Sequence, residues 1–421
     1  MTAAPGTVVT LDVERPAIGG RMIARLDGAV VLVAGAIPGE RVRAAVERVQ
    51  RGTVFARVID VLTPSPDRVS PSPGLACGGQ VFAHIAAVRQ QALKAEMIVD
   101  AFRRQARLTL GDVPVAAGPA DGYRTRARAH VRSGRWGFYD EGSHTPCGIA
   151  GSRQLTEASA AALEGLCAAV SAAAPDALAE VEWAESVAGT VRVAHVQLTT
   201  GAWRGRLRPI DGIDGCSLGD RARADVPGWG VTRVVDRLSG VAGPVDVQHH
   251  VRAFFQGNRY LLQALVDDVV RRVTADSVAD LYAGVGLFSA ALARPGRRID
   301  AVEGDARAAD DLRENARHVA GVRAVHAPVE RVLARDGAGA YGTIVVDPPR
   351  TGLGAAVAGP IASARVPTVV YVSCDPVTLA RDVRTFVEAG YEPADVRAFD
   401  LFPRTAHVET VVTLTARRQG A

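Results

Sequence analysis

Lysine is all but missing from this chain: among 49 lysine and arginine residues, Lys94 is the single lysine. Alanine, valine and glycine are abundant as well, so the arginine excess reads first as a bias toward GC-rich codons. A net charge of +4 is too mild to point to nucleic acid by itself. Cysteine is also scarce. Cys77, Cys147, Cys167, Cys216 and Cys374 are an odd number scattered over 421 positions, which argues against a disulfide framework and leaves room for one nucleophile. The start carries no basic segment followed by an apolar run and a cleavage site. No apolar stretch is long enough to span a bilayer, the nearest approach, Pro367 to Cys374, being strand-sized. A soluble cytoplasmic protein with no membrane partner is expected. A hydrophobic content of 48% excludes general disorder, and the length predicts two or three domains.

The chain reads in three parts. From Thr7 to Leu62, short strands such as Ala29 to Val33 alternate with turns at Gly19-Gly20, Asp27-Gly28 and Pro38-Gly39, which suggests a small barrel. The prolines of Thr63 to Pro66 and Pro71 to Pro73 predict a stiff linker. Residues 83–108 read as a helix whose apolar face is Ile85, Val88, Leu93, Met97 and Phe102, able to pack on the catalytic part. From Gly122 to Val245 the pattern is mixed, with strands at Arg126 to Val131 and Val191 to Leu198 and a helix between Leu155 and Ala173; an irregular α+β domain is expected. From Ser277 onward strands (Val278 to Tyr282, Arg298 to Glu303, Thr343 to Asp347, Pro367 to Ser373) alternate with helices such as Ala306 to Ala320. That alternation is the signature of a doubly wound parallel sheet of α/β class, whose ligands bind at the carboxyl ends of its strands.

Chemistry-bearing residues fall at those ends. Asp280 to Ser289 runs from a strand through Gly284 and Gly286 into a helix, a turn that lets backbone approach a ligand. Ser289 stands where a dinucleotide fingerprint needs glycine, so a nicotinamide cofactor is disfavoured. Glu303, about twenty residues on, ends the next strand and can take two ribose hydroxyls. Asp347-Pro348-Pro349-Arg350 fixes two charges at the rim, since prolines cannot extend a ladder. Cys374 follows an apolar strand and precedes a helix beginning near Thr378, where a thiol pKa can be lowered. Glu409 can serve as a base with His407 as a helper, though either residue alone reads equally well as surface.

Taken together, Phe254 to Asn258, Asp280 to Gly286, Val302-Glu303, Asp347 to Arg350, Ser373 to Asp382 and Phe402 to Glu409 resemble, in order, the motifs of the RNA uracil-carbon-5 methyltransferase family. The N-terminal Gly19-Gly20-Arg21 and Pro38 to Val42 resemble a TRAM domain, a small OB-like RNA-binding barrel. The resemblance implies a barrel over 1–62, a central RNA-binding α+β domain over 63–245 and a Rossmann-like methyltransferase domain over 246–421. It implies S-adenosylmethionine as cofactor, contacted by Gln256, Tyr282, Gly284, Gly286, Glu303 and Asp347, with Leu287 contributing backbone or packing. Cys374 matches the family nucleophile and Glu409 its base. The implied partner is RNA, ribosomal RNA favoured over tRNA, and the protein is expected to act as a monomer.

The same resemblance brings a departure. Relatives of this architecture carry four cysteines around an iron–sulfur cluster, whereas here only Cys77 and Cys147 remain, with Pro71 and Gln80 at the other two places. No cluster and no other metal are expected. Cys77 and Cys147 are expected to lie close together as oxidisable thiols. The alternatives are a tRNA uridine-carbon-5 enzyme, a methyltransferase for carbon 5 of cytosine or an exocyclic amine, and a non-catalytic RNA-binding or RNA-folding protein. The presence of both Cys374 and Glu409 weighs against the last two.

Overall fold

The structure, a computed structural model, describes residues 4–71, 77–139, 144–174, 178–199, 207–220 and 226–417. Five strands, β1 (Val8–Pro16), β2 (Met22–Leu26), β3 (Ala29–Ala34), β4 (Arg41–Gln50) and β5 (Thr53–Thr63), close into a barrel in the order β1-β2-β3-β5-β4. Alternation drives it: Val9, Leu11 and Val13 of β1 point inward, while Thr10 and Asp12 face water. The Asp27-Gly28 turn closes the β2–β3 hairpin with both residues at positive φ, as the sequence predicted. The chain leaving the barrel is tied back to it, for Arg68 donates to both carboxylate oxygens of buried Glu40. The expected stiffness at Ser72 and Pro73 lies outside the described residues.

Helix α1 (Ala87–Ala101) ends in a wider π turn over Phe102–Ala106. Its buried face differs from the expected one. Val88 is 78% exposed and Ile85 precedes the helix, while Gln90, Leu93, Lys94, Met97 and Ile98 face inward. Apolar spacing misled here because two of the enclosed positions are polar. The helix joins two cores, Leu93 and Met97 packing with the barrel, Ile98 and Ala101 with the large C-terminal sheet.

After the short strand β6 (Val115–Ala116), the middle of the chain forms β7 (Arg126–Arg132), β8 (Arg135–Tyr139), β9 (Pro146–Cys147), α2 (Glu157–Ala173), β10 (Ala179–Glu185), β11 (Arg192–Leu198), β12 (Gly215–Asp220) and β13 (Val226–Gly230). These strands make one seven-stranded sheet rather than an irregular assembly. Its face toward α2 is apolar, while the other is mostly polar, with Ala184 and Val193 packing there on Val234 and Val251. In β7, Ala127, Ala129 and Val131 pack toward α2, while Arg128 and Arg132 lie on the other face, so no continuous apolar run announces the strands.

The hairpin of β14 (Arg233–Gly240) and β15 (Gly243–His250) comes next, then α3 (Leu262–Arg272), β16 (Ser277–Leu281), α4 (Leu287–Leu292), β17 (Arg298–Glu303) and α5 (Ala306–Arg317). The hairpin rests on α3, α4 and α5, so the expected division after residue 245 falls inside a strand that packs with the C-terminal part. The Gly240 to Gly243 turn is the hairpin's tip. The chain continues through β18 (Val322–His326), α6 (Val329–Asp336), β19 (Thr343–Val346), α7 (Ala355–Ser363), β20 (Thr368–Ser373), α8 (Pro376–Glu388), β21 (Tyr391–Phe399) and β22 (Glu409–Ala416). The C-terminal sheet runs β18-β17-β16-β19-β20-β22-β21-β6, parallel from β18 to β20, with β22 antiparallel to β20 and to β21. The upstream strand β6 completes its edge. Among the described residues no helix is long and apolar enough to cross a membrane.

Candidate active site

A cavity of about 660 Å³ opens at the carboxyl ends of β16, β17, β19 and β20, and the sequence-derived candidates other than Gly286 line it. Its first wall is the turn after β16. Tyr282, Gly284 and Gly286 adopt positive φ values of 60°, 56° and 89°. At Gly286 a Cβ would stand 2.7 Å from Leu312, so that glycine is required by packing as well as by conformation. Glu303 at the end of β17 receives the Gly284 N–H at 2.8 Å and the Asp305 N–H at 2.6 Å. One carboxylate thereby shapes the turn it faces and keeps free lone pairs for hydroxyl donors. Leu287 contributes a buried apolar side chain, and burial, with the Glu330 carboxylate next, pushes the hydroxyl of half-buried Tyr282 above its ordinary range.

The opposite wall carries acids. Asp347 follows β19 and receives the Gln256 side-chain amide at 3.4 Å. Burial and then neighbouring Asp280 push its pKa up to about 7, against the Gln256 bond. Asp280 is fully buried beneath the turn, where it accepts from both the backbone N–H and the hydroxyl of Ser289, yet burial still lifts it to about 7.

Cys374 and Glu409 meet through sheet register. Ser373 of β20 pairs with Thr410 of β22, so the next positions outward on these antiparallel strands are Cys374 and Glu409. Two residues 35 apart in sequence therefore face each other at the cavity floor. Asp375 caps α8 by accepting from Val377 and Thr378, and Pro376 occupies the first turn, which halts β20 and turns the chain at Cys374. The helix end does not lower the thiol pKa as expected. Burial, with the Glu409 carboxylate next, pushes it up to about 11, and Arg350 opposes them without prevailing. Glu409 is 2% exposed, and burial and Asp347 hold its carboxyl well above the usual range. Alkylation of the free protein at Cys374 by iodoacetamide is therefore expected to accelerate steadily from pH 7 to 10, ~tenfold per unit. A plateau below pH 8 would contradict this environment.

His407 stands at the rim with its ring edge-on to Phe402 at 6.0 Å; enclosure by the pocket, with Arg350 beside it, keeps its pKa low. Phe254, 69% exposed at the mouth, is an apolar side chain that the sequence reading quoted but gave no role. Cys167 and Cys216 are buried and inert, burial pushing both thiols far above their ordinary range. Cys77 and Cys147, expected as neighbouring thiols, are joined in a disulfide that ties the approach to α1 onto β9.

A family model described as tRNA (uracil-5-)-methyltransferase matches residues 335–417, and the TRAM domain model matches residues 3–59. The chain is 33% identical to the 23S rRNA (uracil(1939)-C(5))-methyltransferase RlmD of Pseudomonas putida, covering 96% of this chain and 93% of the relative. It is 32% identical to the protein of the same name from Chromohalobacter salexigens, covering 96% and 89%. The crystal structure of Pyrococcus abyssi tRNA (uracil-54, C5)-methyltransferase in complex with S-adenosyl-L-homocysteine superposes with a TM-score of 0.74 at 24% identity, covering 96% of this chain and 99% of that one. At that identity the likeness speaks to the fold.

Proposed function

The chain belongs to the uracil-carbon-5 RNA methyltransferases that begin with a TRAM domain, and from that premise we propose that it methylates carbon 5 of a uridine in large-subunit ribosomal RNA. The observation that carries the reading is the register that sets Cys374 against Glu409 on the floor of a nucleoside-sized cavity. The choice of ribosomal RNA rests on relatives named for that substrate, which match the chain over nearly its whole length.

The cavity residues suit S-adenosylmethionine. Gly284 has no atom within 4 Å of where a Cβ would stand, which leaves open space beside the turn, and Glu303, Gln256 and Asp347 present acceptors and an amide around an apolar wall. Glu303 would hold the ribose, Gln256 and Asp347 the polar end, and Tyr282 and Leu287 the flanks. Bound there, the cofactor supplies an electrophilic methyl group.

The remaining chemistry belongs to the protein. Uracil carbon 5 is a poor nucleophile, and addition of the Cys374 thiolate to carbon 6 turns it into an enolate carbon. After carbon 5 has gained the methyl group, Glu409 takes the proton from that carbon. The carbon 6–sulfur bond then breaks and Cys374 leaves as thiolate. Both groups lie inside the cavity, so the target base must leave its stack to reach them.

An iron–sulfur cluster does not fit. Cys77 and Cys147 are bonded to each other, and Gln80, at a third place, donates its amide to the Ser152 carbonyl. Nucleoside mass spectrometry of separated ribosomal RNA and tRNA from a deletion strain tests the assignment. Loss of 5-methyluridine from ribosomal RNA alone is expected. Loss from tRNA alone would favour the tRNA reading, and no loss from either would overturn uridine methylation.

A further inference from the structure

The segment that carries the base has little structure of its own. Between the end of β21 at Phe399 and the start of β22 at Glu409 the chain is irregular, and Arg404 within it sits at φ 62°. Phe402, His407 and Glu409 of this stretch all line the cavity. Its shape is imposed from outside, by α1 together with Ala116, whose carbonyl accepts from the Asp400 N–H, and Phe82 and Asp121, which hold Arg404.

Two polar side chains one turn apart on the buried face of α1 reach into it. Gln90, 6% exposed, accepts from the Arg404 N–H at 2.9 Å and donates to the carbonyls of Phe82 and Ile85. Lys94, 0% exposed, pairs with Asp400 and donates to the Phe402 carbonyl at 3.1 Å. That carbonyl also accepts from the Thr405 hydroxyl at 2.7 Å, and the Thr405 oxygen accepts from the His407 N–H at 3.1 Å. A continuous run of bonds thus leads from Lys94 to within two residues of Glu409. Asn258, two residues beyond the cofactor-facing Gln256, joins the same segment by donating to the Leu401 carbonyl at 2.9 Å.

The identity of the cation is informative. Every other basic position in this chain is arginine, so arginine is its default cation. The most fully enclosed cation among the described residues is this lysine, Arg272 and Arg297 being buried slightly less completely, and its compact ammonium can point three donors at two acceptors without the width of a planar guanidinium. Burial pushes the Lys94 ammonium toward losing its proton and the Asp400 carboxyl toward gaining one, and each partner opposes the other's shift. Such a pair is costly to enclose and is weak evidence for a gain in stability, so its place beside the base segment asks for another reason.

We propose that Lys94, seconded by Gln90, is a positioning residue that fixes the Asp400–Glu409 segment so that the Glu409 carboxyl meets the proton on carbon 5. This rests on the reading of Glu409 as the base. The substitution Lys94→Met keeps the length and removes the donor. It is expected to lower kcat for 5-methyluridine formation at least tenfold and leave the Kd for S-adenosyl-L-homocysteine within twofold. It is also expected to raise the share of enzyme found covalently bound to RNA on denaturing gels during turnover, because only the step after addition and methyl transfer is slowed.

Unchanged kcat and adduct level would overturn the proposal. So would a parallel fall of turnover, adduct and homocysteine-cofactor binding, the mark of general loosening. Should Lys94→Met not fold, Lys94→Met with Asp400→Asn removes both buried charges and with them the penalty of an unpaired one. The same rise in adduct is then expected, and its absence refutes positioning. Wild-type enzyme that forms neither adduct nor 5-methyluridine would refute the functional reading instead.

Discussion

Cys374→Ala is expected to abolish 5-methyluridine formation, with a loss of rate on the order of 10⁴ to 10⁶, the range seen when a covalent nucleophile is removed. No other group in the cavity can take its place. The two other free thiols, Cys167 and Cys216, are buried in the central sheet region, and Cys77 and Cys147 are consumed by their disulfide. The alanine variant should still bind S-adenosyl-L-homocysteine, because Glu303 and Asp347 sit on other strand ends, Gln256 on the loop between β15 and α3, and all three keep their own partners. It should melt close to wild type, since Cys374 is only half-buried and its removal spares the Asp375 cap of α8. Methyl transfer measured by nucleoside mass spectrometry checks the rate, and calorimetry checks binding. Turnover near the wild-type rate would end the covalent account.

Glu409→Gln is expected to have the opposite outward sign: little product but a lasting RNA–enzyme adduct. Addition by Cys374 and gain of the methyl group do not require the carboxylate, whereas release of the thiol requires the carbon-5 proton to leave first. An amide of the same shape cannot take that proton, so the enzyme stalls as a methylated covalent complex visible on a denaturing gel.

The same substitution has a stability signature. Burial and Asp347 raise the Glu409 pKa in the folded state above its unfolded value, so folding favours the protonated form. Above the folded pKa the wild-type protein therefore carries a penalty for the buried carboxylate. The penalty shrinks as pH falls through the raised folded pKa and is gone below the unfolded value near 4.5. The glutamine variant should melt higher than wild type at pH 8, and the gap should close toward pH 4. A gap that widens on acidification would mean that Glu409 is held as a carboxylate.

Much of the site was legible because it lies where strands end. Glu303, Asp347 and Cys374 each follow a short apolar run, and a doubly wound sheet places every such position on one rim. Glu409 was legible only through the family motif, since its strand β22 runs antiparallel and its meeting with Cys374 depends on a register that periodicity does not reveal. The thiol pKa was misjudged for a related reason. The helix start beside Cys374 is local and visible in sequence, whereas the burial and the facing carboxylate that outweigh it are tertiary.

Helix α1 shows the limit of hydrophobic patterning. Its enclosed face includes Gln90 and Lys94, and its apolar Val88 faces solvent, so counting apolar residues rotates the helix away from its true orientation. The clue to Lys94 was compositional. A lone lysine among arginines was on view from the start, but only the structure gives it a partner in Asp400.

The most direct test of the covalent route is to give wild-type enzyme and S-adenosylmethionine an RNA carrying 5-fluorouridine, digest the trapped complex and sequence the modified peptide by mass spectrometry. Fluorine at carbon 5 cannot leave as a proton does, so the adduct should persist. Its nucleotide should be attached to Cys374, with a methyl group on carbon 5. A nucleotide on any other residue, or no adduct from enzyme that methylates the unfluorinated RNA, would contradict the account.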